Sequence, residues 1–117
     1  MTAGAMKASA LTTHILDTAA GKPAAGVLVE LYRLDAAGAV KVTESVTNAD
    51  GRTDAPLLTA DEFAPGRYEL RFHIGAYFGG AGFLDVVPIV VRLQAGQGHY
   101  HVPLLCSPWS YGTYRGS

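Results

Sequence analysis

Two histidines, His14 and His101, lie in segments whose residue pattern turns them away from the predicted core. In residues 10–17 and 99–106, apolar side chains fall mainly on alternate positions, which is typical of a half-buried β-strand. Each histidine falls on the opposite face of its strand. Because a neutral imidazole titrates near neutral pH, such a residue is suited to general acid–base catalysis. A single outward histidine on a strand is nevertheless more often a solvated polar residue.

The outward face that these histidines share also carries uncharged neighbours. They are Thr12, Leu16, Pro103 and Leu105. A half-apolar outer face indicates a surface that is covered, either as a groove or as an interface between subunits. Charged residues make up only 16% of the chain, against about 25% in an average soluble domain, which points to the same conclusion.

One arginine, Arg52, follows a turn signal of the hairpin type at residues 48–51. A tight turn can deliver the planar guanidinium to an oxyanion or a urea-like ligand, because this group forks onto two acceptors. An arginine after a turn is more commonly a surface charge. The residue type alone therefore leaves both interpretations open.

The C-terminal residues 111–117 are aromatic and have the composition of a strand, whereas chain ends are usually frayed and polar. Two interpretations fit this segment. In the first, the segment packs against a neighbouring subunit. In the second, it lines a site to which Ser117 contributes a hydroxyl and a terminal carboxylate.

Composition and motif content exclude several classes of function. The net charge of −1 argues against a strong nucleic-acid binder, which would carry a basic stripe. Cys106 is the only cysteine, so neither a disulfide within the chain nor a cysteine-based zinc site is available. The sequence has no dinucleotide-binding, phosphate-loop, serine-hydrolase or HExxH motif. Because no carboxylate or cysteine motif accompanies His14, His99 and His101, we predict no metal site.

The sequence also gives expectations about location and about the remaining histidines. No apolar run approaches the roughly 18 residues of a membrane span, and the N-terminal segment lacks the apolar stretch of a signal peptide. We therefore expect a cytoplasmic protein without a membrane partner. His73 lies among charged residues and is interpreted as solvated, whereas His99 is interpreted as a residue at the rim of the outward face.

The segments that must position these residues have the length of strands. Turn signals divide the chain into runs of about 5–10 residues, and this spacing favours an all-β sandwich or barrel. The predicted strands are residues 10–17, 27–34, 41–47, 52–55, 67–74, 86–93, 99–106 and 109–115. Helix is limited to single turns at residues 59–62, which have the form of a capping box, and at residues 75–80. The core should be dominated by Tyr68, Leu70, Phe72, Val87, Ile89 and Val91.

Three separated motifs resemble those of the transthyretin-like family. They are LTTHILDT with GKPA at residues 11–24, HYHVPLL at residues 99–105, and the final tetrapeptide YRGS at residues 114–117. The tetrapeptide is similar to the one that marks the hydrolase branch of the family. The resemblance covers residues 10–117, which we take as one domain. Residues 1–9 have no counterpart and are expected to be a flexible N-terminal extension.

The resemblance implies an eight-stranded sandwich of two four-stranded sheets with one short helix, assembled as a homotetramer that is a dimer of dimers. The hydrolase branch acts on 5-hydroxyisourate in urate breakdown. It hydrolyses the ring amide to 2-oxo-4-hydroxy-4-carboxy-5-ureidoimidazoline and needs no cofactor. The alternative is a transthyretin-type tetramer that binds a small ligand without chemistry. Uncharged residues would then be expected in place of the histidines and Arg52.

The same resemblance implies that His14, Arg52 and His101 are catalytic. Residues that bind substrate would be Tyr114, Arg115, Gly116 and Ser117 of the tail. Amide hydrolysis needs a base for the attacking water and donors for the developing oxyanion. We favour His14 with Arg52 as the pair that activates water, and His101 as the orienting residue or the acid.

Overall fold

The computed structural model describes residues 9–117, so the predicted N-terminal extension lies outside the described part except for Ser9. Within this range the elements follow one another at short intervals. They are β1 (Leu11–Asp17), β2 (Lys22–Pro23), β3 (Leu28–Asp35), β4 (Gly38–Val46), β5 (Gly66–His73), α1 (Ile74–Tyr77), β6 (Val86–Leu93), β7 (Tyr100–Cys106) and β8 (Tyr111–Thr113).

The eight strands of the described range form two four-stranded sheets, in the orders β2-β1-β7-β8 and β4-β3-β5-β6. Strands β1 and β7 run parallel, whereas the other neighbours are antiparallel. This arrangement confirms the predicted all-β sandwich of two four-stranded sheets with one short helix.

The core lies between the two sheets and is built from their inward-facing side chains. Burial alternates from one residue to the next along β1 and β5, as the sequence pattern predicts. Of the predicted core residues, Tyr68, Leu70, Phe72, Val87 and Ile89 are buried, and Val91 packs half-buried against them. Burying one large apolar side chain contributes roughly 1.5–3 kcal/mol, so the middle of β5 is a major anchor between the sheets.

The outward side of β5 carries a hydrogen-bonded histidine rather than a free one. His73 Nε2 lies 2.5 Å from Glu30 Oε1 on β3, and Lys41 Nζ lies 3.1 Å from the other carboxylate oxygen. Hydrogen bonds from His73 and then Lys41 lower the pKa of Glu30 to about 2. The interpretation of His73 as solvated is therefore wrong, because strand pairing brings Glu30 next to it.

Residues 52–55 do not form the strand that the sequence predicts, and β2 is the eighth strand instead. β2 pairs with the last two residues of β1. Farther along the same edge, an isolated bridge joins His14 to Arg52. After this bridge the Thr53 hydroxyl donates a hydrogen bond to the Ala55 carbonyl at 2.6 Å. Residues 52–55 therefore make a local contact instead of continuing to pair with β1.

The short helix α1 begins where β5 ends, one residue before the predicted turn at residues 75–80. The predicted turn at residues 59–62 forms its capping contact, in which the Glu62 carboxylate accepts a hydrogen bond from the Thr59 N–H at 2.9 Å. It closes as a turn and does not extend into a helix. None of the helices in the described range is long and apolar enough to cross a membrane.

Candidate active site

The parallel pairing of β1 with β7 brings the two histidines onto one patch of the outer face. In this register Thr12 lies opposite His101, and His14 lies opposite Pro103. Residues two apart point to the same side of a strand, so Thr12, His14 and His101 all project outward, where they are half-buried. The histidines therefore lie on neighbouring strands, one side-chain step apart along the sheet.

The turn at residues 48–51 fixes the backbone of Arg52. Asn48 Oδ1 accepts hydrogen bonds from the N–H groups of Asp50 and Arg52, at 2.9 and 3.2 Å. Hydrogen bonds from an asparagine side chain to the backbone N–H groups that follow it are a common way of closing a turn. The side chain of Asn48 also donates to Asp54 Oδ1 at 2.9 Å, which holds the residues after the turn.

Gly51 attaches this turn to β1. The Ile15 N–H donates to the Gly51 carbonyl at 2.9 Å, and the φ angle of Gly51 is +73°, which favours glycine. A Cβ at this position would lie 2.5 Å from the Ile15 carbonyl oxygen. The close approach places the next residue, Arg52, beside His14.

The C-terminal tail reaches the same patch through Gly116. Its N–H donates to the His101 carbonyl at 2.8 Å. A Cβ on Gly116 would lie 2.6 Å from His101 Cδ2 and 3.2 Å from Pro103 Cγ, which is closer than ordinary van der Waals contact. The absence of a side chain therefore lets the tail cross the imidazole, and the crossing brings Ser117 to the cleft.

A cleft of about 360 Å³ opens on this patch, within the roughly 300–1,000 Å³ of small-molecule sites. Hydroxyl, imidazole and guanidinium groups dominate its walls. The residues that line it are Thr12, Thr13, Arg52, Thr53, His99, His101 and Ser117. His14 instead lines a hollow of about 120 Å³ on the same outer face, together with Leu16, Pro103, Leu104, Leu105 and Tyr114.

The surroundings favour the neutral form of both histidines. Burial and the positive charge of Arg52 lower the pKa of His14 below its ordinary value of 6.5, against a smaller opposing effect of Asp50. Burial lowers the pKa of His101 as well, with further contributions from Arg52, His14 and His99. A neutral imidazole has a free acceptor nitrogen, so each of the two can accept a proton at neutral pH.

The structure does not bring the Arg115 side chain to the histidines. Its Cζ lies 4.2 Å from the centroid of the Tyr100 ring, and its Nη2 donates to the Gln97 carbonyl at 3.3 Å. Tyr100 is buried on the inward face of β7, opposite to the face of His101. Tyr114 is exposed and lines the small hollow beside His14. The role of Arg115 in binding substrate stays a prediction from the resemblance.

The cleft is lined by four residues that the sequence analysis did not assign to the site, namely Thr12, Thr13, Thr53 and His99. Two of these, Thr12 and His99, contact one another. Thr12 Oγ1 lies 2.7 Å from His99 Nε2 and 2.8 Å from His101 Nδ1. Strand parity placed both residues on the outward face, but their contact depends on the register between β1 and β7. Among residues 9–117, no group of three or more His, Cys, Asp and Glu side chains is arranged to hold a metal ion.

Comparison with known proteins gives the family of the chain. The model of the HIUase/Transthyretin family matches residues 11–116. The chain belongs to this family. Its resemblance to transthyretin-like proteins is thereby confirmed over nearly all of the described range.

Individual members of the family agree with this assignment. A 5-hydroxyisourate hydrolase of Deinococcus radiodurans is 55% identical over 113 residues, which cover 92% of this chain and 95% of that protein. The structure of Klebsiella pneumoniae 5-hydroxyisourate hydrolase matches with a TM-score of 0.79 and 36% identity, over 96% of each chain. An (S)-allantoin synthase matches with a TM-score of 0.86 and 43% identity over 97% of this chain, which spans 45% of that longer protein.

Proposed function

We propose that this chain is an enzyme that hydrolyses the ring amide of 5-hydroxyisourate, giving 2-oxo-4-hydroxy-4-carboxy-5-ureidoimidazoline in urate degradation. The observation that carries the proposal is the convergence of Arg52, His101 and the tail residue Ser117 on one polar cleft. A backbone bridge joins His14, which lines the hollow on the same outer face, to Arg52. The 55% identity to a 5-hydroxyisourate hydrolase over almost the whole chain supports the same reaction.

The groups on the cleft correspond to the needs of amide hydrolysis. Arg52 remains charged at neutral pH and can fork onto two oxygens, so we assign it to the oxyanion that forms on the amide carbon. His14 lies beside Arg52, and its lowered pKa keeps a nitrogen free to take a proton from water. The water oxygen bonds to the amide carbon, the ring C–N bond breaks, and His101 supplies the proton that the leaving nitrogen needs.

The tail has a different place in this proposal. The Gly116 N–H is already bonded to the His101 carbonyl, so Gly116 serves by its close approach and not by a free donor. Ser117 lies in the cleft, where its polar groups can orient an oxygen-rich substrate. Tyr114 and Arg115 complete the proposed binding residues on the basis of the family resemblance.

We further propose a cytoplasmic homotetramer, arranged as a dimer of dimers. Large apolar side chains are exposed on the described chain, among them Trp109 at 68% and Tyr114 at 61%. Burial of such residues between subunits would remove their contact with water. Sedimentation velocity at micromolar concentration should give a single species of about four chain masses, and a fully active monomer would overturn this part of the proposal.

A direct assay tests the activity. Urate oxidase generates 5-hydroxyisourate from urate, and the decay of its absorbance is followed with and without the purified protein. We expect a large acceleration from the wild type and little from His101→Asn, which keeps a polar side chain but does not titrate near neutral pH. No acceleration by the folded wild type would overturn the hydrolase proposal. It would favour the alternative, a transthyretin-type protein that binds a small ligand without chemistry.

A further inference from the structure

The Thr12 hydroxyl joins two histidines in the cleft. Its oxygen lies 2.7 Å from His99 Nε2 and 2.8 Å from His101 Nδ1, both within the range of a good hydrogen bond. The two imidazole planes are 23° apart, with ring centroids separated by 6.4 Å. A continuous chain of three polar groups therefore runs from His99 through Thr12 to His101.

This chain has two states, because a hydroxyl has a single proton to donate. In the first state His99 Nε2–H donates to Thr12 and Thr12 donates to His101 Nδ1, so the neutral His101 carries its proton on Nε2. In the second state His101 Nδ1–H donates to Thr12 and Thr12 donates to His99. The contact with Thr12 thus couples the tautomer of His101 to that of His99.

The difference in exposure between His99 and His101 gives this hydrogen-bonded chain a direction. His99 is exposed to solvent, whereas His101 is half-buried. The lining of the cleft has two residues with basic nitrogens in addition to His101, namely Arg52 and His99, and it includes no Asp or Glu. His14 on β1 also contributes to lowering the pKa of His101. A charged imidazolium at His101 is disfavoured in these surroundings. If His101 acts as the acid and stays neutral throughout, a second path must replace the proton that it gives up.

We propose that Thr12 and His99 are relay residues that carry a proton from solvent to His101 during catalysis. This inference rests on the proposed hydrolase function. As the ring C–N bond breaks, His101 Nε2–H passes its proton to the leaving nitrogen. At the same time Thr12 gives its proton to His101 Nδ1 and takes one from His99 Nε2, while His99 Nδ1 takes one from water. One proton enters from solvent and one reaches the leaving nitrogen, while His99 and His101 keep their charge. The hydroxide left in solvent takes up the proton that His14 received from the attacking water.

Three variants test the relay by kinetics. Thr12→Val removes the hydroxyl with little change of shape, Thr12→Ser keeps it, and His99→Gln keeps a polar side chain that does not titrate. We expect Thr12→Val and His99→Gln to lower kcat about 10-fold with KM unchanged, which is less than the 10²–10⁴-fold typical of losing the acid itself. Thr12→Ser should retain most of the rate. Thr18→Val is the matched control and should keep wild-type kcat. It removes a hydroxyl just beyond the end of β1 that donates to the Cys106 carbonyl.

Two further results separate a relay from a structural role. Added imidazole should restore kcat of His99→Gln, because a free proton carrier can replace an exposed relay group. The double variant Thr12→Val/His99→Gln should be no slower than Thr12→Val, since each change breaks the same path. Wild-type kcat in His99→Gln, or equal loss in Thr12→Ser and Thr12→Val, would overturn the relay.

A measurement without substrate keeps the test independent of the hydrolase proposal. The ring nitrogen shifts of His99 and His101 in NMR report the tautomer of each imidazole. In wild type, titration of His99 should change the tautomer of His101, and in Thr12→Val the two rings should titrate independently. Independent titration in the wild type would overturn the coupling. If the two imidazoles are coupled but the protein shows no hydrolysis, the two-state hydrogen-bonded chain of His99, Thr12 and His101 stands and the proposed function is overturned.

Discussion

Gly116→Ala should slow catalysis while leaving the fold intact. The added Cβ would meet His101 Cδ2 at 2.6 Å, and ordinary contact begins at 3.4 Å, so the tail or the imidazole must move by about 0.8 Å. Misplacement of a catalytic constellation by about 1 Å can cost on the order of 10²-fold in rate. We therefore expect kcat/KM to fall by roughly 10²-fold. The tail buries little apolar surface, so the loss of stability should stay near 1 kcal/mol, or a few °C in Tm.

Gly112→Ala provides the matched control for this experiment. Gly112 lies on β8 a few residues before Gly116, and a Cβ there would point into open space. Both variants and the wild type are compared by initial rates of 5-hydroxyisourate decay and by thermal unfolding. Wild-type kcat/KM in Gly116→Ala would refute the argument that the tail must cross His101 closely. A large drop in Tm would show that the tail is structural.

Three other predictions use the same assay. His101→Asn should lower turnover by about 10²–10⁴-fold with unchanged Tm, and a rate within about threefold of wild type would show that His101 only packs. Deletion of residues 115–117 should reduce the rate much more than Tm, whereas a truncated chain that keeps its rate would remove the tail from the site. Since a base must be unprotonated and the pKa of His14 is lowered below 6.5, kcat/KM should be level at higher pH and fall on the acidic side with a midpoint below 6.5. A midpoint above 6.5 would contradict this electrostatic account.

The strand pattern, and with it the class of fold, was predictable from the sequence. Alternation with period two is imposed by the backbone of a single strand, so it can be read without knowing which strands pair. For this reason the inward Tyr68, Leu70 and Phe72 and the outward His14 and His101 all appear on the faces that the pattern predicts. The three separated motifs then identified the family, because residues in such an order rarely coincide by chance.

The errors fall where a residue depends on a neighbour outside its own strand. Residues 52–55 have a strand-like composition, yet the edge of β1 that they approach is shared with β2. His73 has charged neighbours along its own strand, yet its partner Glu30 comes from β3. In both cases the pattern along the chain described the segment itself correctly. It did not show which other element lies next to that segment in the fold.

The candidate site shows the same division. Residue types and motifs indicated His14, Arg52, His101 and the tail, but only the tertiary structure decided how they meet. Gly116 crosses His101, and Thr12 contacts histidines 87 and 89 residues away along the chain. Such contacts are set by the parallel register of β1 and β7 and by the docking of a turn and a tail. The periodicity of one strand records which way a side chain points, and it contains no information about which side chain lies opposite.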